Sequence, residues 1–373
     1  MKSTAAGLIY KLGASGKMKY KLSDICTYRN GKVDVKDLNA KTYISTENML
    51  PNKGGITEAA SLPTVPLTQG YKKDDVLVSN IRPYFKKIWR AKNDGGCSND
   101  VLVFQANENI DKEFLYYVLA NDDFFAYSMA TSKGTKMPRG DKFSIMQYEV
   151  PNLNFETQHK IGVLLKSLDD KIELNNKINE NLEQQAQAIY QSMFVSTQHE
   201  TDRIGLLSEL ITVKYGKDHK KLNDGFFPVY GSGGIMRYVE KSLYDKESVL
   251  IPRKGSLNNV LYVDEPFWSV DTMFFTEMKM PNIAKFVFHF VKSKDLDSLN
   301  AGSAVPSMTT DILNSMKVRI PSAERLAEFE EIVAPLYRTM KENVRQSEHL
   351  SALRDTLLPK LMNGKIDVSE VKI

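Results

Sequence analysis

"LNNKINENLEQQAQAIYQSMF", Leu174 to Phe194, reads as a long helix with asparagines where apolar residues belong. Extended upstream and followed in alternating steps of four and three, it gives Ile161, Leu165, Leu168, Ile172, Asn175, Asn179, Leu182, Ala186, Ile189 and Met193. That is a heptad seam with two polar residues at its centre. Adding 168 to each number gives Phe329, Val333, Leu336, Met340, Asn343, Ser347, Leu350, Arg354, Leu357 and Leu361. The second seam again carries its polar pair at the centre. A match over the whole series predicts an internal repeat.

The repeat extends upstream of the helices. "GTKMP" (Gly134 to Pro138) and "GSAVP" (Gly302 to Pro306) share the same offset, and each leads to a strand-like segment ending in proline, at Pro151 and Pro321. Earlier, "DVLVSNIRPYFKKIWRAKNDGGCSNDVLVF" resembles "SVLIPRKGSLNNVLYVDEPFWSVDTMFF". Both read as hairpins around a basic turn, followed by an aspartate (Asp100, Asp271) and an apolar strand. "KLSDI" and "LLSEL", from Lys21 and Leu206, mark the two starts. The repeating unit is a strand-rich domain of about 130 residues followed by a long helix.

Proline is tolerated in the first helical turn and not in the interior. Pro335 therefore predicts a break, with a short helix closing each domain. The matching Ser167, with Asp170 after it, reads as a capping box. The long helices are expected over Leu168–Val195 and Leu336–Leu358, with Pro359 and Gly364 closing the second. Chain order makes them antiparallel, with one globular domain at each end about 40 Å apart and a pseudo-twofold relation between the halves. Asn175, Asn179, Asn343 and Ser347 meet near the centre of that arrangement and set the register. The expected class is α+β: two strand-rich globular domains, 20–151 and 203–321, and two helical spacers, 152–195 and 322–364. Residues 1–19 read as a tail or leader.

Composition narrows the function. With 373 residues, 42% apolar and 26% charged, the chain is long enough for two ordinary cores. The two cysteines, Cys26 and Cys97, form no CxxC pair, which argues against a disulfide framework or zinc site. No apolar run reaches membrane-spanning length, so a cytoplasmic protein with no membrane partner is expected. Net charge is +4 and unevenly spread. Lys+Arg exceed Asp+Glu by 18 to 16 in residues 20–151 and by 16 to 13 in 203–321; acids exceed bases by 8 to 4 in 152–202 and by 9 to 8 in 322–373. A polyanion prefers the turn-rich segments. Two readers on a spacer of this length suit two DNA half-sites about one turn apart, roughly 34–36 Å. A coiled-coil scaffold that binds proteins at both ends is the alternative, but it has no need of basic turns on both domains.

"SLDDKIELNNKINENLEQQAQAIYQSMF" and "SALRDTLLPKLMNGKIDV" resemble the two conserved helical regions of type I restriction-modification specificity (S) subunits. "PVYGSGGI", "IPRKGSLNNVLYVDEPFWSVDT" and the two G-x-x-x-P turns resemble those of the family's target recognition domains. The resemblance runs from about residue 20 to the end. It implies a non-catalytic subunit that reads a bipartite double-stranded DNA target, one half per domain. It also implies docking of methyltransferase (M) subunits, two of them, along the helices, and recruitment of restriction (R) subunits. S-adenosylmethionine, ATP and Mg then belong to those partners, with no cofactor in this chain.

The residues agree in carrying no catalytic motif. There is no phosphate-binding loop, Rossmann fingerprint or amino-methylation segment. His159, His199, His219, His289 and His349 have no ligand spacing. "DTMFFTEMK" sets Asp271 ahead of Glu277 and Lys279 as some nucleases do, but its alternation reads as a buried strand.

The candidate DNA contacts are basic and turn-borne. "NIRPYFKKIWRAK" offers Arg82, Tyr84, Lys86, Lys87 and Arg90, with Trp89 as core. "SKGTKMPRGDK" offers Lys133, Lys136 and Arg139. In the second domain, "VKYGKDHKK" offers Lys214, Tyr215 and Lys217, and "YGSGGIMR" offers Tyr230, Ser232 and Arg237. "PRKGSLNN" offers Arg253, Lys254, Ser256 and Asn258, of which Arg253 and Asn258 suit bidentate base contacts. The first segment also reads as an alternating strand with solvated lysines on one side and core aromatics on the other, SKGTKMPRGDK as any strand-to-helix turn, VKYGKDHKK as a charged loop, YGSGGIMR as a plain turn and PRKGSLNN as a solvated hairpin turn.

Overall fold

The computed structural model describes residues 19–197, 202–300, 306–368 and 371. The proposed leader, His199 and the GSAVP turn before Pro306 lie outside the described residues. The chain forms two compact units, residues 1–174 with 346–373, and residues 175–345. No described helix is long and apolar enough to cross a membrane.

The first unit opens with strand Lys19–Lys21, paired antiparallel with Glu149–Pro151. The short helix Leu22–Ile25 follows, and the Lys21 N–H donates to Asp24 at 2.8 Å to cap it. The main sheet runs in the spatial order Cys26–Tyr28, Val101–Ala106, Val76–Ser79, Ile88–Arg90, all antiparallel. A second sheet orders Lys32–Asp34, Leu67–Tyr71, Gly95–Cys97 and Tyr43–Ile44.

The second unit repeats this plan. Arg203–Leu206 pairs with Lys317–Ile320, and the helix Leu207–Leu210 is capped by Glu209 through the Leu206 N–H at 2.8 Å. Its main sheet orders Ile211–Tyr215, Met273–Met278, Ser248–Pro252 and Leu261–Val263. That is the same path through four strands as in the first unit, so the repeat read in the sequence is a repeat of topology. The second sheet is Gly234–Val239, Asp224–Gly231 and Trp268–Ser269.

Strand alternation explains why each main sheet is buried on both sides. Val76 and Val78 face a core shared with Phe104, Phe114, Leu165 and Leu361. Leu77 faces the other way, onto Tyr71, Trp89 and Val103. In the second unit Val249 and Ile251 face Phe274, Phe286 and Phe329, while Leu250 faces Phe267 and Trp268. One face of each sheet thus packs on helices and the other on the second sheet.

The long helices differ from expectation. The first is continuous over Phe155–Tyr190, with a π turn at Gln191–Ser196, and the second over Ala323–Met362. Pro335 breaks nothing. It sits on the exposed face, as does Glu331, whose carbonyl loses its helical partner. On the opposite face Phe329, Val333 and Leu336 continue one apolar stripe into the core. Ser167 is not a cap; its hydroxyl donates back to the Leu164 carbonyl at 2.7 Å in mid-helix. Every seam residue of both series is buried or half-buried.

Within each unit the helical segments run antiparallel. In the second, Asn175 Nδ2 donates to the Asn343 carbonyl at 3.3 Å, Asn179 Nδ2 to the Met340 carbonyl at 3.1 Å, and Asn343 Nδ2 to Asn179 Oδ1 at 2.8 Å. Ser347 lies on the helical segment of the first unit. There Arg354 Nη1 donates to Asp169 Oδ1 at 2.5 Å, and Tyr117 donates to Asp169 Oδ2 at 2.7 Å.

Candidate nucleic-acid interface

In the first unit, three separate segments meet at the end of the Val76–Arg90 hairpin. Pro83–Phe85 forms a 3₁₀ turn, flanked by Arg82 and Lys86, both left-handed at φ 50°. Each such residue costs about 1–2 kcal/mol. Backbone bonds hold the conformation: the Arg82 N–H donates to the Pro138 carbonyl at 2.8 Å. Asn52 N–H donates to the Phe85 carbonyl at 2.8 Å and Lys53 N–H to the Lys86 carbonyl at 2.9 Å. Gly140 N–H donates to the Asn80 carbonyl at 3.1 Å. A side chain at Gly140 would meet Ile145 Cδ1 at 2.7 Å and Asn80 Oδ1 at 2.8 Å, so a larger residue there would make these side chains shift. The SKGTKMPRGDK turn is therefore docked on the basic hairpin.

Arg82, Tyr84, Lys86, Lys87, Lys133, Lys136 and Arg139 are brought together by this docking. Lys86 and Lys53 both reach Asp122, at 2.8 and 2.9 Å. Burial alone would raise the Asp122 carboxyl, but hydrogen bonds from the two lysines hold it below its usual value. Lys87 donates to the Thr46 carbonyl at 2.6 Å, and burial lowers its pKa. Lys133 pairs with Asp141 at 2.6 Å and Arg139 with Asp100 at 3.2 Å. Lys136 is exposed. Arg90 is elsewhere. It lies opposite Val76 at the hairpin's base, bound to Asp74 at 2.6 Å and to Glu113. Burial opposes its charge, but those two carboxylates more than offset it and raise its pKa.

In the second unit, residues Pro306–Met308 take the place of Pro138–Gly140. Gly255 N–H donates to the Pro306 carbonyl at 3.3 Å, and Met308 N–H to the Arg253 carbonyl at 2.9 Å. Lys254 bridges Ser307. The Arg253 guanidinium lies 5.4 Å over the Tyr215 ring and donates to the Asp271 carbonyl at 2.9 Å. The loop at Ser269–Thr272 gathers more of the set. Lys217 N–H donates to Ser269, Val270 N–H to the Tyr230 carbonyl and Arg253 N–H to Thr272, at 2.7, 3.0 and 2.8 Å. Ser232 is 3.0 Å from where a Gly255 side chain would start, and Gly255 has φ +88°, so both turns interlock. Lys254 and Ser256 are exposed beside it.

Three candidates stand apart. Lys214 lies on its strand 3.4 Å from Glu277, and Arg237 binds Asp224 at 2.7 Å and the Leu222 carbonyl at 3.0 Å. Asn258 uses both ends of its amide inside the unit, donating to Asp295 and Asp297 and accepting from Leu296 N–H.

Lys53 was not singled out in the sequence. Its one signal is the run Asn52-Lys53-Gly54-Gly55, which reads as a tight turn without showing what it docks on. Phe143 and Phe226 are 76% and 92% exposed and carried no signal at all. Among the described residues, no group of three or more His, Cys, Asp or Glu is placed to hold a metal ion.

A family model described as the type I restriction modification DNA specificity domain matches residues 14–184 and 200–348. The type I restriction enzyme HindI specificity subunit of Haemophilus influenzae is 23% identical over 468 residues, covering 93% of this chain and 99% of the relative. The MjaIX specificity subunit of Methanocaldococcus jannaschii is 23% identical over 307 residues, covering 71% of each. Among solved structures, the type I restriction-modification S subunit from M. genitalium aligns with a TM-score of 0.57 at 18% identity, over 94% of this chain and 98% of that one. That likeness is one of fold.

Proposed function

The chain belongs to the family of type I restriction-modification DNA specificity proteins, and from that premise we propose that each unit reads one half of a bipartite target. As a specificity subunit it is the non-catalytic, target-recognising member of its system. One observation carries the two-half reading. The same four-strand path ends, in both units, in a basic turn onto which a proline turn from further along the chain is docked. One sequence-reading surface per unit follows, built from different side chains and hence suited to different half-sites.

In the first unit the surface is the turn carrying Arg82, Tyr84, Lys86 and Lys87 with Lys133, Lys136 and Arg139. In the second it is Tyr215, Lys217, Tyr230, Ser232, Arg253, Lys254 and Ser256. Their cations supply the phosphate attraction, and Arg253, aligned over Tyr215, suits bidentate contact with a guanine edge. The long helices are the docking ground for two methyltransferase subunits and, through them, the restriction subunits. S-adenosylmethionine, ATP and Mg act in those partners, in the cytoplasm.

The test exchanges residues 20–151 for the matching segment of another family member. The hybrid is co-expressed with the methyltransferase subunit and the methylated sites are sequenced. One half of the target changes and the other persists. A change in both halves together overturns the reading.

A further inference from the structure

The turn at Pro83–Phe85 holds a feature that phosphate attraction does not use. Tyr84 and Phe85 are 50% and 38% exposed, and their rings pack 4.7 Å apart at the end of the hairpin. Scattered exposed apolar residues are ordinary, but two adjacent exposed rings in contact form a small apolar patch, and one held in a fixed geometry invites a role. They are fixed. The turn is bounded by two left-handed residues, Arg82 and Lys86, and its carbonyls are held by Asn52 and Lys53. Lys87 lies 5.8 Å from the Phe85 ring centroid.

What surrounds the pair selects its occupant. Arg82, Lys86 and Lys87 lie on the same turn and Lys53 on the one bonded to it; Lys53 and Lys86 share Asp122, while Lys87 donates to the Thr46 carbonyl. The docked turn adds Lys133, Lys136 and Arg139. A fixed aromatic pair on a turn that carries and adjoins several cations matches a π-stacked polyanion better than it matches a protein groove or a lipid surface.

We infer that Tyr84 and Phe85 are a wedge that enters a base step of duplex DNA, unstacks it and bends the helix. Aromatic and apolar side chains act in this way in proteins that kink DNA. The first unit then reads part of its half-site through the ease of deforming that step, a source of specificity that needs no base-edge hydrogen bond. The device belongs to one unit. The corresponding turn of the second, Arg253 to Val260, carries no aromatic residue; the exposed Tyr215 ring beside it lies on a strand, with the Arg253 guanidinium over its face. This inference rests on the target-recognition reading above.

The experiment uses the full chain and duplexes it selects from a randomised pool, with 2-aminopurine placed at successive positions. Binding is followed by anisotropy across a salt series. The wedge predicts a several-fold fluorescence rise at one step, in one half-site only. Tyr84→Ser with Phe85→Ser removes the rise and weakens binding on the order of tenfold. The salt slope is unchanged because no charge is lost. Tyr84→Phe keeps the rise. The wild-type measurement needs no variant, so a poorly folded mutant does not protect the idea. If the chain selects sequences with steep salt dependence but no position brightens, or the double variant keeps the rise, the wedge is wrong and target recognition stands. If the chain neither selects nor shows salt-dependent binding, target recognition itself falls, and the wedge with it.

Discussion

The Tyr337 hydroxyl donates to His289 Nε2 at 2.9 Å, while His289 Nδ1 lies 2.7 Å from Gln187 Oε1. His289 is on the domain helix Ala284–Lys292, Gln187 on the first long helix and Tyr337 on the second. One imidazole therefore ties three elements of the second unit together. The first unit makes the same junction with other chemistry, Tyr117 to Asp169 and Asp169 to Arg354. Each domain is fastened to its own pair of helical segments by buried polar contacts, which demand one geometry where apolar packing tolerates several.

That junction sets a pH dependence. With Nδ1–H donating to Gln187, Nε2 must be unprotonated to accept from Tyr337. Burial, with a smaller effect from Lys292, pushes His289 down to about 4. The unfolded side chain titrates near its usual value of about 6.5. The folded pKa is the lower one, so stability is full above about 6.5 and falls as pH drops from there towards 4. The full span is roughly 3 kcal/mol. His289→Gln is expected to flatten this part of the curve. Urea unfolding of the second unit at pH 7, 5.5 and 4.5 decides it; an equal slope in the variant rejects the assignment to His289.

The amide pair at the helix seam predicts an asymmetry between single and double replacements. Asn343→Leu strands Asn179 Oδ1, which now accepts from it at 2.8 Å. Losing one half-buried partner costs about 1 kcal/mol. Replacing Asn179 and Asn343 together by leucine is near neutral or stabilising, because no side-chain acceptor is left behind and the Met340 carbonyl that Asn179 also served lies within a helix. Thermal melts of the two singles and the double form a complete cycle. Additive losses would mean that the two amides do not act as a pair.

The seam was legible because its period and its polar pair survive translation along the chain. Asn175 predicted Asn343, and the two residues bond. The helix limits were not legible, because packing of Phe329, Val333 and Leu336 into the core carries the helix through Pro335, and that packing depends on partner elements distant in sequence. The candidate site was half legible. Lysines and arginines announce themselves, but their partners are distant in sequence: Lys86 meets Asp122 and Arg90 meets Glu113. Only folding reveals which cations are already committed to the unit and which still face solvent.

Lys136 and Arg90 should separate on that ground. Arg90→Ala leaves Asp74 and Glu113 without their shared cation and is expected to cost about 2 kcal/mol of stability. Its salt dependence of DNA binding stays unchanged. Lys136→Ala is expected to leave the melting temperature alone and to shallow the log–log salt slope by about 0.9, the share of one phosphate contact. Anisotropy titrations at several salt concentrations, beside melts of each variant, read both quantities. Exchange of the two phenotypes would place the DNA surface at the hairpin's base.

The long helices allow the last prediction. Both run unbroken through the division between the units, at Leu174–Asn175 and at Arg345–Gln346. Four residues inserted after Leu174, with four more after Arg345, leave Asn175, Asn179 and Asn343 in their own unit and Asp169 and Arg354 in theirs. Neither set of contacts has to shift. Each helix gains about 6 Å and about 40° of rotation. If these helices set the spacing of a bipartite target, the gap between half-sites grows by one or two base pairs, at about 3.4 Å per pair, with both half-site sequences unchanged. Co-expression with the methyltransferase subunit and sequencing of methylated sites measures the gap directly. A folded, active double insertion that keeps the original gap would show that the spacing is set elsewhere.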